Sequence, residues 1–352
     1  MAKKKKLDLA HMQIKPPFFL REELNDNILA LIKSVTLGSN GTLYQHQRID
    51  RRIKQLYHPL FVNLEHRDKV LGNVTICRRP SNWYVRYFAF DLGLQSGKQK
   101  PRSKAANSSL KNRIQGFFDD AFLEECPPKT FYAYIDPKNE RSLWMSQNFK
   151  FKTIAKIATQ TFSRVKPIAQ ANVSAMKVDD SLKSRVQEIY GNYPFYFTHH
   201  TFNDDPFYVL TIADEIVAFA KVHQAEWKIK RLSGKYGSFL KAIVPYIPRV
   251  RKIVRPDQHI FSVVDTVWSK GNNPAYLNQL FEGILHGEKT NSLVWWVDRK
   301  EPVFQEVQNK IDWGLLHKIN GVQDVDLVVR TSQLEEVNAL ETPSYVTGFD
   351  FI

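Results

Sequence analysis

The stretch Tyr132-Ala133-Tyr134-Ile135-Asp136-Pro137-Lys138-Asn139-Glu140-Arg141-Ser142, running on to Phe149-Lys150-Phe151, reads as a strand, an abrupt helix start and a short helix ending at an aromatic. The aromatic and branched residues of 131–135 suit a pleated, buried surface. Asp136 is placed to cap a helix opened by Pro137, where a missing N–H costs nothing. The pattern returns at Val294-Trp295-Trp296-Val297-Asp298-Arg299-Lys300-Glu301-Pro302, and Asp298 stands as far from Trp313 as Asp136 does from Phe151. One chain holds the same unit twice.

Working outward, residues 59–64, 70–77 and 83–94 read as three consecutive strands joined by charged or Pro-containing turns. A loop rich in Gly, Ser and Lys covers 95–104. Leu110, Ile114, Phe117, Phe118 and Phe122 then recur at helical spacing. The second half follows the same scheme, with a hairpin at 206–222 and a long third strand at 259–268. Its next helix is capped by Asn273 and opened by Pro274. Asp91 lies six residues before Gly97 and Asp265 six before Gly271, which suggests that the two third strands correspond at these acids. So long a repeat period means tandem domains rather than a solenoid. The expected division is a basic arm at 1–15, one unit at 16–165, a linker at 166–171 and a second unit at 172–352. A basic helical insert at 226–257 has no counterpart in the first unit.

With 352 residues and 43% hydrophobic content the chain can bury two cores. Two cysteines, Cys77 and Cys126, cannot build a disulfide framework or a thiolate zinc site, and the histidines lack ligand spacing, so no metal is expected. No signal peptide and no apolar run long enough to span a bilayer is seen, and the expected compartment is the cytoplasm. A net charge of +14 leaves room for phosphates on a cofactor, a carrier protein or a nucleic acid. The adjacent His199 and His200, beside Tyr193, Phe195 and Tyr196, read either as part of a substrate groove or as a packed aromatic cluster.

A hairpin, a third strand, a glycine or basic loop, a helix, a strand and a short helix ending at an aromatic resemble, in that order, the GNAT acyltransferase superfamily. Asn139, Ser142 and Phe151 fall in register on that family's closing motif. Ser146 stands where the family has a tyrosine acid, and Lys150 where it has a glycine. In the second copy the equivalents are Gln308 and Trp313. The resemblance implies two tandem GNAT-like α/β folds, each a mostly antiparallel sheet flanked by helices with a V-shaped cleft. It also implies a cofactor, acetyl-CoA or another acyl-CoA, whose pyrophosphate meets N–H groups at a helix start.

The matching loop in the first half runs from Leu94, Gln95, Ser96 and Gly97 through Lys98, Lys100, Arg102 and Lys104 to Asn107, with Asn139 beside it. The second half offers Lys270, Gly271 and Asn272, with less charge. The implied reaction is acyl transfer to an amine on a small molecule or peptide. Asp91 and Asp265 would serve the amine's proton, and Ser146 would hold a water or the sulfur. A non-catalytic GNAT-like binding module is the first alternative. An RNA-associated protein of the kind that takes aminoacyl groups from tRNA is the second, supported by the charge.

Overall fold

The computed structural model of the protein describes residues 16–38, 42–67, 69–91, 104–123, 127–232, 237–332 and 341–352, with the main chain alone for 104–110 and 240. The first half runs β1 (Phe18–Arg21), α1 (Asp26–Ser34), β2 (Leu43–His46), α2 (Ile49–Ile53), β3 (Pro59–His66), β4 (Lys69–Arg78) and β5 (Asn82–Phe90). It continues with α3 (Lys104–Ala121), β6 (Thr130–Ile135), α4 (Glu140–Asn148) and β7 (Lys152–Ser163). The second half opens with β8 (Val173–Met176), α5 (Asp180–Tyr190), α6 (Thr198–Thr201), β9 (Phe207–Ile212) and β10 (Glu215–Arg231). Next come α7 (Gly237–Ile243), α8 (Val250–Ile253), β11 (His259–Ser269), α9 (Pro274–Gly287) and β12 (Ser292–Asp298). It closes with α10 (Pro302–Val307), α11 (Leu315–Asn320), β13 (Gln323–Thr331) and α12 (Gly348–Phe351).

Two local expectations need correction. Helix α4 starts at Glu140, not Pro137, because Asn139 Oδ1 accepts the Ser142 N–H at 3.1 Å and is the true cap. Asp136 instead closes the turn ahead of it, its Oδ1 accepting from Lys138 N–H at 2.9 Å. Residues 226–231, expected to begin a helical insert, continue β10. Alternation along this end of β10 buries Ala225 and Ile229 on one face and turns Lys230 to solvent, and a register shift after Ile229 leaves Arg231 exposed as well. Helix α9 begins as its sequence indicates, with Asn273 Oδ1 accepting from Ala275 N–H and Pro274 at the first position.

The strands form one sheet in the order β1-β3-β4-β5-β6-β13-β7-β12-β11-β10-β9-β8, with β2 on the far end of β10. Most neighbours are antiparallel; β5 with β6 and β11 with β12 are parallel. The halves interleave at the centre. Strand β13 of the second half lies between β6 and β7 of the first, and β7 lies between β13 and β12. One face of this centre is a core shared by both halves, with Phe61, Tyr132 and Ile157 packed among Phe261, Leu327 and Phe349. On the other face α3 lays Phe117 and Phe118 on Phe131 and Phe151, and α9 buries Leu277, Leu280, Phe281, Ile284 and Leu285 completely. Each such side chain contributes roughly 1.5–3 kcal/mol by leaving water.

Candidate active site

Both parallel pairs come apart for the same reason. Along β5, Arg86 faces Thr75 and Ala89 faces Asn73, so Tyr87 and Phe88 stand against the single residue Val74. Along β11, Asp265 faces Lys221 and Trp268 faces Phe219, so Thr266 and Val267 stand against Ala220. These are matching β-bulges, and each puts a non-glycine residue into the left-handed region: Tyr87 at φ 52° and Thr266 at φ 51°. The registered pairing of β5 with β6 ends at Tyr84, and that of β11 with β12 ends at Val264. Beyond those points each strand bends away from its parallel neighbour and leaves a wedge.

In the first half the wedge is an open pocket of about 370 Å³. Tyr84, Arg86, Tyr87 and Phe90 line it from β5, Ala133 and Tyr134 from β6. Asn139, Arg141, Ser142 and Ser146 come from the α4 side, and Trp296 and Phe351 close the inner end. The lining is rich in aromatic side chains. Its charged groups are few: Asp136 and Asp350 are the carboxylates, Arg86 and Arg141 the guanidinium groups. Arg141 stacks over the Phe90 ring at 5.5 Å. Arg86 donates from Nη2 to Ile352 O at 2.8 Å, while its Nε and Nη1 and the Asp350 Oδ2 have no hydrogen-bond partner among the described residues. Burial, and then Arg86 itself, push the nearby His46 down to about 3, so that ring is neutral.

Among solved structures, the chain is similar to Saccharomyces cerevisiae N-myristoyltransferase with bound myristoyl-CoA, at a TM-score of 0.52 and 9% identity, covering 98% of this chain and 85% of that one. A structure of the same yeast enzyme with myristoyl-CoA and inhibitors gives 0.50 and 10%, covering 92% and 82%. An N-acetyltransferase from Sphaerobacter thermophilus gives 0.47 and 12%, covering 91% and 98%. The fold is a tandem GNAT fold. No family model matches the sequence, and no curated protein does.

The second GNAT wedge is filled by the chain itself and keeps only about 20 Å³. Ser344, Tyr345 and Val346 occupy it. Asp298 Oδ2 accepts from Ser344 N and Oγ at 2.8 and 2.6 Å, and Tyr345 Oη meets Thr266 Oγ1 at 2.7 Å. Thr347 then donates to Asp265 Oδ2 at 3.1 Å. Asp350 pairs with Arg79 at 2.5 Å, which carries the segment to the rim of the first pocket. Beside this plug burial, and then Asp298, raise Glu301 to about 7.

The expected site residues separate on this frame. Ser146 lines the first pocket, buried, with Oγ donating to Leu143 O at 2.8 Å; Asn139 lines it as the cap of α4. Asp91 sits just past β5, exposed and outside the lining, with its N–H on Leu71 O at 2.8 Å. Asp265 is 1% exposed beneath the second wedge, bonded to His223, Thr266, Thr347 and Gly348. The bulges equate Asp265 with Arg86, which corrects the match to Asp91 drawn from glycine spacing.

Leu94, Gln95, Ser96, Gly97, Lys98, Lys100 and Arg102 lie outside the described residues. Lys104 and Asn107 fall in the opening turns of α3. Lys270 pairs with Glu215 at 2.7 Å, and Gly271 and Asn272 take positive φ in the turn before α9. His200 is buried against Phe349 and Phe197, the packed-cluster alternative, while His199 is exposed and meets the Tyr57 ring edge-on at 4.9 Å. Arg86 and Asp350 could not be singled out beforehand, because one sits at a bulge without a glycine and the other in a segment without periodicity.

Proposed function

We propose that the protein is an acyl-CoA-dependent N-acyltransferase whose working cleft is the first one. The reading is carried by the open, aromatic-lined wedge beside the β5 bulge. The thioester would lie along the splayed edge of β5, where a bulge leaves main-chain groups outside the ladder to meet a carbonyl oxygen. The CoA phosphates would reach the start of α3, which follows directly on the cationic loop 98–104. The amine nitrogen attacks the thioester carbonyl carbon, the C–S bond breaks, and the thiolate leaves with a proton as free CoA. Asp350, with an unpartnered oxygen at the pocket wall, is the group placed to take the ammonium proton, in preference to Asp91 or Asp265.

About 370 Å³ is far more than an acetyl group fills, so acyl groups longer than acetyl are the favoured donors. The yeast N-myristoyltransferase of the same fold binds myristoyl-CoA. The test is calorimetry with acetyl-CoA, myristoyl-CoA and free CoA, followed by thiol release with a panel of amines. Ser142→Trp, which pushes an indole into the pocket, should weaken acyl-CoA binding at least tenfold without unfolding the protein. No saturable binding by any of the three ligands would overturn the proposal. Ser146, tied to Leu143 O where the resemblance puts an acid, favours the binding-module alternative enough to keep it in the test. That reading is met if ligand binds and no amine releases thiol.

A further inference from the structure

Residues 228–255 contain nine lysines and arginines and no aspartate or glutamate. Those of them that the structure describes form the end of β10, α7, a single tight turn at Val244–Tyr246, and α8. Their inward side is accounted for: Ile229, Val244, Ile253 and Val254 are buried and pack with Val165, Leu315 and Leu316. Their outward side is not that of an ordinary solvated segment. Phe239 is 64% exposed, Tyr246 83% and Ile247 41%. Pro245 and Pro248 bracket Tyr246-Ile247 and hold the pair out on a turn rather than letting a longer helix fold it inward.

Exposed Lys230, Arg249, Arg251, Lys252 and Arg255 flank these apolar residues along the chain. Among the described residues none of the five cations forms an ion pair. Elsewhere on this surface exposed cations do find carboxylates, as Lys270 finds Glu215 and Arg21 finds Glu65.

A partner for this surface must supply negative charge and an apolar phase side by side. Nucleic acid supplies phosphates and flat bases, on which Phe239 and Tyr246 would stack, but it offers Ile247 and the two prolines nothing. The interface of an anionic bilayer supplies both: phosphates for the cations, and the headgroup–acyl boundary for an aromatic and an aliphatic side chain. We propose that the described parts of this stretch, residues 228–232 and 237–255, seat the protein on an anionic lipid surface. Phe239, Tyr246 and Ile247 enter the interfacial layer and the lysines and arginines lie over lipid phosphates. The protein then rests on the membrane without crossing it; no helix of the described residues is long and apolar enough to span one.

The experiment is co-sedimentation of the full chain with vesicles of phosphatidylglycerol and phosphatidylcholine in equal parts, against phosphatidylcholine alone, at low and at physiological salt. The expected result is binding to the mixed vesicles only. Phe239→Ser with Tyr246→Ser, which leaves the charge untouched, should cut that binding at least tenfold. Arg249→Gln with Arg251→Gln and Lys252→Gln should cost about fivefold for each charge removed.

All these side chains are on the surface, so the variants should melt like the parent. A Tyr246→Trp variant gives a second readout, since quenching of the added indole by brominated lipid reports insertion directly. Absence of vesicle binding at low salt overturns the proposal, as does binding unchanged by the two serines or an added indole that brominated lipid does not quench. Polyuridylate that binds equally well with and without the two serines, and strips the protein from vesicles, would assign the surface to nucleic acid instead.

Discussion

The pair Arg79–Asp350 offers the sharpest energetic test of how the closing segment is held. Arg79 is 4% exposed and Asp350 5%, with Nη2 and Oδ1 2.5 Å apart. The guanidinium also donates to the Tyr132 hydroxyl and lies 3.2 Å from His200 Nδ1. It stands over the rings of Phe197, Tyr84 and Tyr132 at 4.9, 5.2 and 5.6 Å. Asp350→Leu leaves that cation buried with no carboxylate, and Arg79→Met leaves the carboxylate buried with no cation. Each should cost about 3–5 kcal/mol, because an uncompensated charge in the interior is far worse than a missing pair.

With both changes the buried charges are gone together. What remains lost is the stacking on the three rings and the contacts to the Tyr132 hydroxyl and His200 Nδ1, about 2 kcal/mol in all. The double variant should therefore sit within about 2 kcal/mol of the parent, with a coupling of roughly 4 kcal/mol or more. Urea unfolding followed by the fluorescence of the seven tryptophans measures each corner of the cycle. Single variants costing under about 1 kcal/mol, or a double variant whose cost is the sum of the singles, would show that the two charges do not depend on each other for burial.

Three other outcomes are expected. Burial and Asp298 raise the Glu301 carboxyl from an ordinary 4.5 to about 7, so ionising it costs the folded state. The parent should lose up to roughly 3 kcal/mol relative to Glu301→Gln as pH rises from 4.5 to 7, and the gap should close below 4.5, as read from paired urea titrations. Lys150 holds φ at 63° where α4 ends, so Lys150→Gly should raise stability by about 1 kcal/mol, visible as a higher melting temperature. A Cβ on Gly348 would come within 2.9 Å of His223 Cδ2 and 3.1 Å of Val263 Cγ1. Gly348→Ala should therefore cost about 1–3 kcal/mol by calorimetry, because neither neighbour sits at a free end.

The parts of this fold that were legible in the sequence are those that announce themselves locally. Strand β6 carries alternating aromatics and α9 a cap, a proline and a clean apolar stripe, so each is read from its own residues. The bulges that open the clefts were invisible, because Tyr87 and Thr266 take left-handed backbone without the glycine that usually signals it. That hid Arg86 and misaligned Asp91 with Asp265. Lys228, Lys230 and Arg231 disguised the end of β10, where charge on the solvent face masks the alternation with Ala225 and Ile229. The segment at 344–352 carries no period of either kind, yet it fills one cleft and borders the other. Its structure is dictated by distant partners such as Asp298, Asp265 and Arg79, and no local rule encodes those.

The interleaved centre of the sheet also sets an order of events during synthesis. Ala133 of β6 finds its antiparallel partner in Val328 of β13, and Trp296 of β12 finds Thr159 of β7. A ribosome that has released only the first half has therefore exposed β6 and β7 with the gap between them still vacant. Those two open edges must wait for nearly the whole remaining chain, a long-range closure that is slow and prone to wrong pairings. Cutting the gene at the linker should yield two sticky fragments that recover a folded protein only when they are produced together.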